Sequence, residues 1–387
     1  MTKRIVSAIA AAVILTVAEP LYVLDGDCAE ALSVSAKAAV LISADTGEII
    51  FEQNSSEKLP MASTTKIMTA LLCIESGGLD EEFVVDSEAI KVEGSSMGLR
   101  EGDTVTKYAL CCGMLLPSGN DAANAAAVRI AGSTEAFVKL MNERAQELGL
   151  SHTYFATPSG LDGEGHGSSA YDMAILAMEA LKNETFRSIC SESTVKVEFG
   201  APPYPRWLKN TNRLLGMCDG VYGVKTGFTD AAGRCLISAC ERGGERLVCV
   251  TLNDKNDWND HISLYEYGFD RTENIVLRPP VLHSLDIVGG EEEKLNVFFD
   301  EADLSVTSLG DSTDGFEYQV LSPPFIYAPV RKGDEAAQLS ISFRGRQIKR
   351  IPLYAAESVE ARHVPVKKSK GSGRFRKFIS GLRKLLF

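Results

Sequence analysis

Ser63 and Lys66 stand three residues apart, a spacing that on a helical turn puts a hydroxyl and an amine on one face within reach of each other. A hydroxyl is a poor nucleophile until a base takes its proton during attack, so this pair can begin acyl transfer if the lysine is largely neutral. Burial or a neighbouring positive charge lowers a lysine pKa in the required direction. Lys225, the first residue of Lys225-Thr226-Gly227, can supply that charge. Between the two lies Ser118-Gly119-Asn120, a polar turn flanked by Leu115-Leu116-Pro117 and Asp121-Ala122-Ala123. There Ser118 can relay a proton to a leaving amine and Asn120 can hold a substrate amide. Lys225 and Thr226 offer a cation and a hydroxyl to a terminal carboxylate, on a strand whose backbone can pair with an extended peptide. Gly227 has no side chain to block that approach. The backbone N–H groups of Ser63 and Phe228 would form the oxyanion hole, each donor contributing about 3 kcal/mol in the transition state. Taken singly, Ser63-Thr64-Thr65 also suits a plain helix cap, Ser118-Gly119-Asn120 an ordinary turn and Lys-Thr-Gly a strand end. Their joint occurrence in this order carries the argument.

Hydrophobic periodicity supplies the elements that would hold these groups. Ala38 to Ser43 and Glu48 to Glu52 read as a hairpin around Ala44-Asp45-Thr46-Gly47. Ser63 to Glu75 reads as a helix stopped by Gly77-Gly78, with the nucleophile at its start. Helical patterns follow at Lys107 to Leu116, Asp121 to Ile130, Thr134 to Leu148 and Tyr171 to Leu181, an all-helical insert between strands. The strand pattern resumes at Val221 to Thr226, Cys235 to Cys240 and Leu247 to Leu252, before a last helix near Trp258 to Phe269. Strands at both ends with helices between give an α+β domain, an antiparallel sheet with a helical insert. Beyond Pro279-Pro280, short runs such as Leu339, Ile341 and Phe343 before Arg344-Gly345-Arg346 predict a small all-β domain.

A chain of 387 residues has room for two domains. Lys3 and Arg4 precede the apolar run Ile5 to Val17, and Ala29-Glu30-Ala31 offers a cleavage site, the pattern of a secretory signal. The alternative, an uncleaved anchor, is opposed by Glu19, Pro20 and Asp25, which cut the apolar stretch short of a membrane span. A lipoprotein signal fits less well, since Asp27 precedes Cys28. At the other end, residues 364–387 hold eight Lys or Arg and no acidic residue. Removing those eight charges from the net −12 leaves −20 on the remainder. Phe375, Phe378, Ile379, Leu382, Leu385 and Leu386 recur at helical steps, so the tail reads as a basic amphipathic helix lying in a membrane surface; docking on its own globular body is the alternative. Lys367 to Gly373 is its polar linker. The expected boundaries are 1–31 for the signal, 32–280 for the catalytic domain, 281–363 for the all-β domain and 364–387 for the tail.

Nine cysteines in an exported chain invite disulfides, and Cys235 and Cys249 could face each other across a hairpin at Arg242-Gly243-Gly244. Their scatter and the apolar surroundings of Cys73 favour buried free thiols. With five dispersed histidines and no Cys/His cluster, no metal site and no cofactor are expected. No nucleic-acid partner is expected either.

The three motifs together resemble those of penicillin-binding proteins and serine β-lactamases. Pro60-Met61-Ala62 before Ser63, Gly94-Ser95-Ser96 before Leu99, and Thr157-Pro158-Ser159-Gly160-Leu161-Asp162 are similar to segments of low-molecular-mass penicillin-binding proteins of the D-alanyl-D-alanine carboxypeptidase family, peptidase class S11. The resemblance spans nearly the whole chain. It implies a β-lactamase/transpeptidase-like domain followed by a small all-β domain. The implied reaction removes the terminal D-alanine of peptidoglycan pentapeptide stems through a Ser63 acyl-enzyme, with β-lactams as inhibitors at the same serine. Carried over by motif, Lys66 is the general base, Ser118 the proton shuttle, Asn120 an orienter, and Lys225 with Thr226 the carboxylate clamp. Phe228 is a departure, standing where some relatives carry His. The implied location is the outer face of the cytoplasmic membrane. Two rivals share features. A serine β-lactamase would need a deacylating Glu, and no Glu-x-x-Leu-Asn segment occurs between the second and third motifs. A silent receptor for wall peptides or β-lactams would not need an intact nucleophile and base. A trypsin-like Ser/His/Asp triad is a weaker alternative, since nothing places His152, His166 or His261 beside a serine motif.

Overall fold

The computed structural model describes residues 32–280, 284–300, 304–310 and 313–363. The expected signal over 1–31 and the basic tail over 364–387 lie outside them. Among the described residues no helix is long and apolar enough to cross a membrane.

The chain opens with the expected hairpin, β1 (Ala38–Ser43) and β2 (Ile49–Gln53), paired antiparallel. Next comes a short 3-10 turn, Ala62–Thr65, that runs directly into α1 (Lys66–Glu75). The sequence suggests one helix from Ser63. The hydroxyls of Thr64 and Thr65 instead bond back to the carbonyls of Met61 and Ala62 at 2.6 and 2.8 Å and tighten the first turn. On such a turn side chains at i and i+3 eclipse, which sets Lys66 over Ser63.

The insert then contains β3 (Glu82–Val84), β4 (Thr104–Thr106), α2 (Lys107–Leu115), α3 (Asn120–Ala131), α4 (Thr134–Glu147), α5 (Ala170–Leu181) and α6 (Glu184–Ser191), followed by β5 (Thr194–Gly200) and β6 (Pro203–Lys209). It is therefore not all-helical. β3, β4, β5 and β6 form a four-stranded sheet in that order. Three-residue strands such as β3 and β4 are too short to show a period of two. β5 does show it, since Val195, Val197 and Phe199 alternate with exposed Thr194, Lys196 and Glu198. Helix starts are conventional, with Thr106, Ser133, Ser169 and Asn183 accepting from backbone N–H groups of α2, α4, α5 and α6.

β7 (Val221–Thr229), β8 (Gly233–Arg242) and β9 (Glu245–Leu252) complete the main sheet, ordered β2-β1-β9-β8-β7, with α7 (Asp257–Phe269) packed against it. β7, which carries Lys225-Thr226-Gly227, is one of its two outer strands. The large core fills the space between this sheet and the helices, with Val40, Ile67, Met68, Leu110, Met173, Ile237 and Val250 essentially without exposure. In the β8–β9 register Cys249 faces Ser238 and Cys240 faces Leu247, so Cys235 and Cys249 do not oppose each other. The eight described cysteines are buried free thiols.

A separate all-β domain follows. β10 (Thr272–Val276) pairs with β13 (Ser305–Leu309), and a six-stranded sheet runs β14-β16-β17-β12-β11-β15. Its strands are β11 (Ser284–Val288), β12 (Lys294–Phe298), β14 (Phe316–Leu321), β15 (Ile326–Tyr327), β16 (Glu335–Phe343) and β17 (Arg346–Ala355). Leu339, Ile341 and Phe343 on β16 point inward as their alternation requires. Two small clusters, one around Leu277, Val306, Ile341 and Leu353 and one around Ile287, Leu295 and Val359, hold the domain together.

Candidate active site

Ala62 adopts φ 48°, a left-handed conformation rare outside glycine, and Ser118 does the same at φ 66°. Both bends sit at the motifs, the kind of place where backbone strain accumulates at a functional site. The first presents Ser63 half-exposed at the start of its turn, while Ala62 itself is buried.

Behind the serine, Lys66 is wholly buried. Its Nζ lies 2.8 Å from Ser63 Oγ, 2.7 Å from Asn120 Oδ1 and 2.6 Å from the Ser159 carbonyl oxygen. An ammonium would donate to all three. A neutral amine keeps two N–H bonds for Asn120 and Ser159 and turns its lone pair to the Ser63 hydroxyl, the arrangement a base needs. Burial pushes the Lys66 pKa well down, the nearby Lys225 pushes it further, and Asp121 opposes them.

The other partners are held firmly. Asn120 Nδ2 donates to the Glu93 carbonyl at 2.7 Å, so this buried side chain is fixed at both ends. Asp121 accepts from the N–H groups of Met97, Gly98 and Leu99 and from the Ser96 hydroxyl, which stitches the 95–99 segment onto α3. Ser159 is set by Gly160, where a Cβ would fall 2.1 Å from the Ala62 carbonyl oxygen. Only glycine allows that approach, at φ 85°. His166 pins the same loop, accepting from Ala156 N–H at Nδ1 and contacting Thr65 Oγ1 at Nε2, both at 2.9 Å. Burial lowers its pKa to about 4, so it is neutral. The structure thus places His166 against the Ser63 motif, which no spacing in sequence indicated.

In front of the serine is a cleft of about 390 Å³ lined by Ser63, Ser118, Thr226, Phe228, Arg234 and Trp258 among others. Gly227 closes in on Ser63: a Cβ there would stand 3.1 Å from Ser63 N. Thr226 Oγ1 pairs with Thr211 Oγ1 at 2.8 Å. Lys225, by contrast, is buried under the strand and its Nζ donates to the Thr226 carbonyl at 2.8 Å. Burial brings its pKa down to about 7, so near neutrality Lys225 is only partly charged, and so is its effect on Lys66. The cleft's exposed cation is Arg234, opposite Phe228 in the β7–β8 register. Its guanidinium is held by buried Asp257 at 2.7 Å and lies 5.3 Å from the Trp258 ring centroid. Thr211, Arg234, Asp257 and the Ser159 carbonyl escaped the reading of the sequence. A backbone oxygen has no residue signature, and Arg234 becomes visible only once β8 is registered against the Lys-Thr-Gly strand. Among the described residues no group of His, Cys, Asp or Glu could hold a metal.

A serine hydroxyl in contact with a buried lysine, beside an open strand edge that can take a peptide, suits one class of chemistry: acyl transfer through a serine ester. Comparison with known proteins narrows the class. The family model for D-alanyl-D-alanine carboxypeptidase, Peptidase S11, matches residues 26–256. The D-alanyl-D-alanine carboxypeptidase DacF of Bacillus subtilis (strain 168) is 35% identical over 87% of this chain and 89% of its own. DacC of Escherichia coli (strain K12), with the same activity in its name, is 33% identical over 86% of each. The crystal structure of the D-alanyl-D-alanine carboxypeptidase DacD from Francisella tularensis superposes with a TM-score of 0.58 at 28% identity, covering 85% of this chain and 95% of that one. The chain belongs to the S11 family of D-alanyl-D-alanine carboxypeptidases. It is a serine-type D-Ala-D-Ala carboxypeptidase and a penicillin-binding protein, and the β-lactamase and receptor readings are not favoured.

Proposed function

We propose that Ser63 is the nucleophile of this carboxypeptidase and that pentapeptide stems of peptidoglycan are its substrate. The observation that carries this is the single buried amine shared by Ser63, Asn120 and Ser159. Ser63 Oγ attacks the carbonyl carbon of the penultimate D-alanine while its proton passes to Lys66. The oxyanion rests on the N–H groups of Ser63 and Phe228. Collapse breaks the peptide bond, and the proton returns through Ser118 to the departing D-alanine nitrogen. Water then hydrolyses the Ser63 ester, with Lys66 again taking a proton. Asn120 and the Ser159 carbonyl keep the Lys66 lone pair on target. Replacing His by Phe228 leaves the backbone donor intact.

The substrate's terminal carboxylate lies between the Thr226 and Thr211 hydroxyls and Arg234, which Asp257 and Trp258 orient. Lys225, too buried to line the cleft, acts from beneath: a carboxylate overhead favours its charged form, and that charge favours neutral Lys66. β-Lactams, which also carry a carboxylate beside a reactive carbonyl, acylate the same serine. Export through residues 1–31 and peripheral anchoring through the basic amphipathic segment 364–387 place the enzyme on the outer face of the cytoplasmic membrane, next to its substrate. The test is D-alanine release from a Lys-D-Ala-D-Ala peptide. The wild-type chain releases it and Ser63→Ala does not; release by Ser63→Ala contradicts the assignment.

A further inference from the structure

The all-β domain turns an apolar corner outward. On β11, Leu285 and Ile287 are buried, so Asp286 and Val288 take the opposite face. β15 runs parallel to it with Ile287 beside Ile326 and Val288 beside Tyr327. Ile326 packs into the core, which leaves Phe325 and Tyr327 on the outer side with Val288. Their exposures are 46%, 67% and 44%. The two rings meet edge to face, 5.6 Å between centroids, at the outermost strand of the six-stranded sheet. Exposed apolar side chains gathered in one place, rather than scattered singly, are the form that contact surfaces take.

Where the backbone leads next identifies the partner. Arg362 N–H bonds the Gly289 carbonyl at 2.8 Å, and Ala361 bridges Gly290, so the chain passes out of the described structure beside Val288. Residues 364–387, with their eight cations and recurring Phe, Ile and Leu, continue from that corner. We propose that Val288, Phe325 and Tyr327 are a second lipid contact, seating the all-β domain on the bilayer surface next to the anchoring segment. This rests on the anchoring reading given above. Aromatic side chains favour the headgroup level, where the ring is apolar and the Tyr hydroxyl stays hydrated. Glu291, Glu292 and Glu293 on the adjoining turn repel anionic headgroups, so the corner binds through apolar insertion while the basic segment binds through charge as well.

Flotation with phosphatidylglycerol/phosphatidylethanolamine vesicles tests it, using the chain from residue 32 onward. The double variant Phe325→Ser/Tyr327→Ser is expected to partition about tenfold more weakly than wild type. That ratio should persist in about 1 M salt, where the screening length is about 3 Å. Trp207→Ser, 68% exposed on β6, is expected to bind as wild type does. D-Alanine release in solution should be unchanged in both variants, which shows that they fold. Equal partitioning of wild type and double variant overturns the lipid corner, as does an equal loss with Trp207→Ser. Failure of wild type itself to float overturns the anchoring reading, and the corner with it.

Discussion

Ser63 and Ser238 each touch a basic side chain, one beside the main sheet and one within it, and only Ser63 is placed to react. Ser63 lies 2.8 Å from Lys66 and opens on a cleft. Ser238 lies 2.7 Å from His261 Nδ1 and 2.5 Å from the Tyr265 hydroxyl, with Thr251 3.1 Å from the far ring nitrogen. All four members of that second cluster are without exposure, and burial lowers the His261 pKa to about 3. Ser238 and His261 look like part of a protease triad on paper. They have no route to a substrate and no strand edge beside them, because Ser238 sits in β8 between β7 and β9. The lesson is that a hydrogen-bonded serine and base become a site through access and aligned backbone donors. Sealed from water, the same groups only satisfy one another in the core.

The contrast can be broken experimentally. Lys66→Met should lower acylation by about 10²- to 10⁴-fold, the usual worth of a positioned general base, read by penicillin trapping under single-turnover conditions. Arg234→Gln removes a charged donor worth about 1.5–3 kcal/mol, so KM for a D-Ala-D-Ala peptide should rise roughly ten- to a hundred-fold with kcat little changed. An equal fall in kcat would instead make Arg234 part of the chemical step. Ser238→Ala should do the reverse: denaturant unfolding shows a loss of about 1–3 kcal/mol from stranded His261 and Tyr265 groups, while D-alanine release by the folded enzyme is retained.

The smallest effect is in pH, and the two pairs should answer differently. Lys66 must be neutral to act, so acylation falls as pH drops through its lowered pKa, with the protein still folded. His261 is held neutral down to about 3, whereas in the unfolded chain it binds its proton near 6.5. The unfolded state therefore holds more protons between those values, and stability falls as pH goes from about 6.5 toward 3. His166, neutral down to about 4, adds to the same acid branch. His261→Gln should flatten that branch in urea titrations and leave the pH dependence of acylation where it was.

How much of this was legible in sequence follows from what each feature requires. Ser63, Lys66, Ser118 and Lys225-Thr226-Gly227 announce themselves by residue type and order, and the long helices by their apolar spacing. The Ser159 carbonyl could not be found that way, since any residue has one. Arg234 needed the strand register, and the pairing of Ser238 with His261 needed α7 packed on β8. The four-stranded sheet in the insert was half hidden: β5 alternates plainly, but β3 and β4 offer three residues each. Burial also divided the expected clamp, leaving Thr226 at the cleft and moving Lys225 beneath it.

The central claim is that Ser63, and not another hydroxyl of the cleft, carries the acyl group. Intact-mass analysis after brief exposure to benzylpenicillin tests it most directly. The account predicts one covalent adduct on the wild-type chain, located by proteolysis on the peptide containing Ser63, and none on Ser63→Ala. An adduct that persists in Ser63→Ala, or that maps to Ser118, would contradict it.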